Sequence, residues 1–129
     1  MIPFSKGAFL PVLLAALSAG AAMPARAADA EAMRLLAEER GCTTCHQENP
    51  VPKGSKAIIA SAPSWHEIAA RYRGRAGAEA QLAREVVGGT DPKDRHWKNQ
   101  AAFTSMLPNE VAVSDDDARS LVHWILSIH

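Results

Sequence analysis

The sequence has few aromatic residues, since phenylalanine, tryptophan and tyrosine together make up 5% of its 129 residues. A small domain with so few large side chains would gain from a bound apolar group in its core. The chain also lacks a strand pattern of useful length and an internal repeat. This favours an all-α fold of about four short helices separated by long loops.

Only one long hydrophobic run is present, and it lies at the N-terminus. Lys6 provides a short basic region, residues 7–22 are apolar, and Ala25 and Ala27 form a small-residue cleavage site. The run contains a proline and is shorter than the roughly 20 apolar residues that a spanning helix prefers. We therefore predict a secretory signal peptide over residues 1–27 and a domain over residues 28–129, with no membrane span after cleavage. An uncleaved N-terminal anchor is the alternative.

The chain lacks an excess of basic residues. Its formal net charge is zero, and cleavage after Ala27 leaves 12 basic against 14 acidic residues, a net charge of −2. A generic nucleic-acid-binding domain is expected to carry a clear positive excess. The composition therefore argues against a nucleic-acid partner.

Cysteine is scarce as well, and the only two lie close together. Cys42 and Cys45 are three residues apart in an exported protein, where disulfides can form. A bridge between them would close a very small loop and add little stability. Structural cross-linking is therefore a poor explanation for this pair.

The two cysteines belong to the sequence Cys42-Thr43-Thr44-Cys45-His46, the C-x-x-C-H pattern of covalent c-type haem attachment. Residues i and i+3 on one helical turn face the same way, so two thiols can reach the two vinyl groups of one porphyrin edge. His46 can then bind the iron as the proximal ligand. Two alternatives use part of the pattern. A zinc site would need further ligands, and a thiol oxidoreductase would need a βαβ context.

Four helices are indicated by capping residues and apolar periodicity. The first begins near Asp29 and ends at Gly41, the second follows a capping box of Ser64 and Glu67, and the third covers residues 78–87. The fourth follows Ser114 and Asp117, which have the spacing of an acidic capping box, and has apolar residues at helical spacing to the C-terminus.

These pieces together resemble the class I monohaem cytochromes c, especially the small bacterial c-551 type. The resemblance is carried by GCTTCH, APSWHEIAARYRG, AEAQLAREVVGGT and MLPNEVAVSDDDARSLVHWILS, and covers nearly all of the predicted domain. It implies the class I cytochrome c fold wrapped around one covalent haem c.

The resemblance also implies further site residues. Met106 matches the methionine whose sulfur binds the iron opposite the histidine, with His96 as the runner-up. Pro63 matches a proline whose carbonyl meets the other ring nitrogen of the proximal histidine. Asn109 matches an asparagine that contacts the methionine sulfur. Trp97 corresponds either to a tryptophan near a haem propionate or to ordinary packing.

The chain departs from the compact members of this family in two loops and one residue. The segments between His46 and Pro63 and between Gly89 and Met106 are longer, and Leu107 replaces the proline that often follows the ligand methionine. These differences leave the attachment motif unchanged.

The expected function is periplasmic electron transfer through a haem c with histidine and methionine ligands, without catalysis. The expected partners are redox proteins, with a periplasmic dehydrogenase as donor and an oxidase or reductase as acceptor. A haem subunit of a periplasmic dehydrogenase, such as a sulfite-oxidising enzyme, is the first alternative, and a thiol-redox protein is the second.

Overall fold

The structure of the protein is a computed structural model that describes residues 25–52, 62–91, 93, 97 and 105–129. The predicted signal peptide lies almost wholly outside this part of the chain. Within the described residues the fold consists of four α-helices and a short 3₁₀ helix, with no strand. The helices are α1 (Ala25–Glu39), α2 (Trp65–Tyr72), α3 (Ala78–Gly88) and α4 (Asp115–Ser127). The predicted all-α class and the number of helices are confirmed.

Helix α1 begins earlier than the sequence analysis predicted. Its first residue is Ala25, four positions before Asp29, the expected N-cap. Alanine has the highest helix propensity, so the alanine-rich segment before Asp29 continues the helix. The C-terminus is as expected, because the Gly41 N–H donates to the Glu38 carbonyl and Gly41 has a positive φ of 73°.

The start of α2 follows its predicted capping box. The Ser64 hydroxyl accepts from the Glu67 N–H at 3.2 Å, and the Glu67 carboxylate accepts from the Ser64 N–H at 2.8 Å. Ser64 is buried, so both bonds satisfy polar groups that water cannot reach. This fixes the chain direction directly after Pro63.

Only half of the corresponding box forms at α4. The Ser114 hydroxyl accepts from the Asp117 N–H at 3.1 Å. The Asp117 carboxylate accepts from the Arg40 guanidinium at 2.8 and 3.2 Å. A residue expected to act locally therefore joins α4 to the end of α1.

Helix α4 is the centre of the fold, because it packs against each of the other three helices. Its predicted apolar face is confirmed, with Ala118, Leu121 and Val122 all buried. One side of α4 completes a cluster in which the rings of Trp65 and Trp124 meet edge to face, 4.9 Å between centroids. The other side packs with Ala83 of α3 in a second cluster. The two clusters fix α1, α2 and α3 relative to one another.

Candidate functional site

The cysteine–histidine motif forms one tight turn immediately after α1. Cys42–Thr44 is the 3₁₀ helix, and the Cys42 carbonyl accepts from the N–H groups of Cys45 and His46 at 3.3 and 3.0 Å. Cys42 is half-buried and packs against the tryptophan cluster, whereas Cys45 is exposed, and both thiols are free. The turn therefore holds two unpaired thiols and one imidazole on five consecutive residues.

The imidazole of His46 is oriented by Pro63, which lies two residues before the start of α2. Its Nδ1 lies 2.7 Å from the carbonyl oxygen of Pro63. Because a carbonyl can only accept, Nδ1 carries the proton, and the lone pair of Nε2 is left for another partner. Burial lowers the pKa of His46, although the bond to Pro63 acts in the opposite direction. The ring is therefore held neutral, the form in which histidine binds metals.

The chain that follows His46 is fixed from two sides. The first two N–H groups of α2, from Trp65 and His66, donate to the carbonyls of Gln47 and Glu48 at 2.9 and 3.2 Å. The Glu48 carboxylate accepts two parallel hydrogen bonds, at 2.8 and 2.9 Å, from the Arg34 guanidinium on α1. This ion pair is not predictable from the sequence, since a separation of 14 residues across a turn gives no local signal.

The segment around Met106 is bound to the end of α3. The Thr90 N–H donates to the Met106 carbonyl at 2.8 Å, and the Thr90 hydroxyl accepts from the Met106 N–H at 2.7 Å. Met106 is half-buried, whereas Leu107 is 74% exposed. No role was predicted for Thr90, which follows the third predicted helix and its glycine pair. The Gly-Gly-Thr sequence was the available signal, because it marks a chain reversal followed by a side chain that can bond to backbone.

Asn109 connects the methionine segment with the cysteine turn. Burial raises the pKa of the Cys42 thiol, and a hydrogen bond from the Asn109 side chain acts in the opposite direction. Two predicted site residues, 67 positions apart in sequence, are therefore brought together. A contact between Asn109 and the Met106 sulfur stays a prediction.

Trp97 packs against a basic side chain of α2. The Arg71 guanidinium lies over its ring, 4.7 Å from the centroid. Of the neighbouring arginines, Arg73 donates to the carbonyls of Leu126 and Ile128 at the end of α4. These positions are compatible with the packing interpretation of Trp97, and its place beside a propionate stays a prediction. His96 lies outside the described residues.

The two alternative uses of the cysteines can be compared with this geometry. Among residues 25–52, 62–91 and 105–129, with 93 and 97, no three histidine, cysteine, aspartate or glutamate side chains could hold a metal ion. The nucleophilic cysteine of a thiol oxidoreductase has a lowered pKa, whereas the pKa of Cys42 is raised.

No helix in the described part of the chain is long and apolar enough to cross a membrane.

Comparisons with known proteins agree on one family. The family model for cytochrome c matches residues 20–129. Cytochrome c-551 of Pseudomonas aeruginosa is 34% identical over 117 residues, which cover 91% of this chain and 96% of that protein. Cytochrome c2 of Rubrivivax gelatinosus is 36% identical over 92 residues, which cover 70% and 91%.

A solved structure extends this agreement to the fold. The crystal structure of wild-type cytochrome c552 from Nitrosomonas europaea matches with a TM-score of 0.54 and 31% identity, covering 73% of this chain and 96% of that one. The chain therefore belongs to the cytochrome c family, the class I monohaem proteins that transfer electrons through a covalently attached haem c.

Proposed function

We propose that this protein is a periplasmic carrier of single electrons, whose haem c is attached through Cys42 and Cys45 and has His46 and Met106 as axial ligands. The observation that carries the proposal is the 2.7 Å contact between His46 Nδ1 and the Pro63 carbonyl, directly beside two free thiols. This contact leaves Nε2 as the free nitrogen of a neutral ring, as a proximal ligand requires.

The composition of the core also fits a large apolar cofactor. In the described part of the chain, many of the buried hydrophobic residues are alanines, and the large buried side chains are few: Trp65, Tyr72, Leu121, Val122 and Trp124. Cys42, one of the two attachment residues, already packs against this core. A porphyrin attached there would add apolar contact area where the protein's own side chains are small.

The site residues would act mainly by holding the haem and orienting its ligands. Cys42 and Cys45 would anchor the ring at two points, and Pro63 would fix the His46 tautomer and increase its basicity as a ligand. Met106, the neutral sulfur ligand, would favour a higher reduction potential than a second histidine. When bound, haem c supplies Fe(III)/Fe(II) cycling, the chemistry that takes up and releases one electron. The redox partners that we expect are a periplasmic dehydrogenase as donor and an oxidase or reductase as acceptor.

The export prediction is part of this proposal. Cleavage after Ala27 would remove the first three residues of α1 and leave Arg40 and Asp117, which join α1 to α4, unchanged. N-terminal sequencing of the protein from a periplasmic extract tests it. A mature chain that begins at Ala28 is the expected result, and an intact Met1 would contradict it.

The ligands are tested by visible spectra of protein expressed with a haem-attachment system in the periplasm. We expect haem absorption that survives denaturation, and its loss when both cysteines are replaced with alanine. A ferric methionine–iron charge-transfer band should be present in the wild type and absent in Met106→Ala. Met33→Ala is the matched control, because Met33 lies on α1 and packs against the tryptophan cluster. Persistence of the band in Met106→Ala would refute the sixth ligand.

A further inference from the structure

We infer that Thr90 is a positioning residue for Met106, and that its hydroxyl sets how firmly the methionine stays bound to the iron. The inference rests on the proposed function, since it takes Met106 as the sixth ligand. It assigns to Thr90 a role that neither the attachment motif nor the ligand methionine itself provides.

Both backbone polar groups of Met106 are satisfied by this one residue. The Thr90 N–H donates to the Met106 carbonyl at 2.8 Å, and the Thr90 hydroxyl oxygen accepts from the Met106 N–H at 2.7 Å. The same hydroxyl lies 3.4 Å from the Met106 carbonyl oxygen. These bonds join residues 16 positions apart in sequence, so they hold the Met106 backbone against the end of α3.

Thr90 is itself anchored to a rigid element. The Gly89 N–H donates to the Glu85 carbonyl at 2.8 Å, which makes Gly89 the C-terminal cap of α3. Helix α3 is packed on α4 through Ala83, which is buried in the second core cluster. Met106 is therefore held by Thr90, which is itself held by a helix packed on the core.

The two segments are also in close steric contact. A Cβ atom on Gly89 would lie 2.8 Å from the Met106 carbonyl oxygen and 2.9 Å from Cδ of Pro108. The backbone of Gly89 therefore lies so close to the Met106–Pro108 segment that no side chain fits between them. The hydrogen bonds of Thr90 thus join two segments, the end of α3 and the Met106 segment, that are already in close contact.

The Thr90 hydroxyl is expected to affect how readily an external ligand replaces Met106 on the iron. A methionine bound to ferric iron competes with external ligands, and movement of its backbone segment away from the bound position favours release of the sulfur. If the Thr90 hydroxyl stabilises the bound position, its removal leaves the Met106 N–H without that acceptor and favours release. The loss of a hydrogen bond of ordinary strength corresponds to a change of about tenfold in an equilibrium constant.

The test is a titration of the ferric holoprotein with imidazole at neutral pH, followed through the loss of the methionine–iron band. Thr90→Val keeps the shape of the side chain and removes the hydroxyl, whereas Thr90→Ser keeps the hydroxyl. We expect the apparent dissociation constant of imidazole to fall about tenfold in Thr90→Val and to stay within about twofold of the wild type in Thr90→Ser. Thr90→Ala should behave as Thr90→Val does, and replaces it if the valine variant yields no holoprotein.

Ser127→Ala is the matched control. Its hydroxyl donates to the Trp124 carbonyl at 2.7 Å at the end of α4, so its removal deletes a similar bond away from Met106. A Thr90→Val protein that melts earlier but binds imidazole as Ser127→Ala and wild type do would overturn the inference, because Thr90 would then only stabilise the fold. A band that persists in Met106→Ala would instead refute the proposed function on which the inference rests.

Discussion

Replacement of Gly89 by alanine should cost far more stability than the same change at Gly77. Both residues have a φ of 76°. They differ in ψ, which is −3° at Gly77 and 174° at Gly89. The first conformation is left-handed helical and open to other residues at a cost of about 1 kcal/mol, whereas the second is almost restricted to glycine and costs about 1–3 kcal/mol.

The surroundings enlarge this difference. An added Cβ at Gly77 would meet no atom within 4 Å, but at Gly89 it would meet the Met106 carbonyl at 2.8 Å and the Pro108 ring at 2.9 Å. These neighbours are backbone and a ring, which cannot move aside as a flexible side chain can. We therefore expect Gly77→Ala to lower the free energy of unfolding by about 1 kcal/mol and Gly89→Ala by about 3 kcal/mol or more.

Equilibrium unfolding of the holoproteins in urea, followed by far-ultraviolet circular dichroism, measures both values under one set of conditions. The slopes against urea should match, so that the midpoints report stability directly. If the free energies of unfolding of the two variants fall by the same amount within about 0.5 kcal/mol, the close approach of Gly89 to the methionine segment does not contribute to stability and the reasoning fails.

Three further predictions concern the frame of the site. The Arg34 guanidinium lowers the pKa of Glu48 below its usual 4.5, so the charged pair stabilises the fold above that pH and its contribution is lost as the pH falls through the lowered value. The free energy of unfolding of the wild type should exceed that of Glu48→Gln by about 0.5–1 kcal/mol at pH 7 and by nearly nothing at pH 2. An equal difference at both pH values in urea unfolding would contradict this. Ser64→Ala should lower the free energy of unfolding by about 1–2 kcal/mol and Ser114→Ala by about half as much, because the Ser64 hydroxyl is buried in a complete capping box. Urea midpoints in the reverse order would refute the comparison. Trp124→Ala should cost about 3–5 kcal/mol, since the ring is buried and has an edge-to-face partner, and a melting temperature near that of wild type would argue against the cluster as the main core.

The sequence identified those parts of the fold whose causes are local. Ser64 and Glu67 are three residues apart, so their capping box could be read directly, and Gly41 marked the end of α1 in the same way. The cysteine turn was equally local, because its chemistry depends on five consecutive residues. The capping signal at Asp29 placed the start of α1 wrongly, because the alanine-rich segment before it has high helix propensity and continues the helix.

The contacts that frame the site have a different origin. Thr90 and Met106 are 16 residues apart, and Arg40 and Asp117 are 77 residues apart, so each pair meets only in the folded chain. No spacing rule reports such pairs, as they depend on the path of the whole chain. The pairing of Asn109 with Cys42 is another case, since the resemblance directed attention to the methionine sulfur.

The hydrogen bonds at the start of α2 bear on how the segment between His46 and Pro63 can vary in length. One end of this segment is tied by the Gln47 and Glu48 carbonyls to α2, and the other meets His46 through the Pro63 carbonyl. Its two ends are thus joined to each other, and residues added between them need not move the imidazole. Each doubling of such a closed loop costs only about 0.6 kcal/mol in entropy. A change in the length of this segment is therefore expected to leave the orientation of the His46 imidazole unchanged, because both described ends of the segment are held by their own hydrogen bonds.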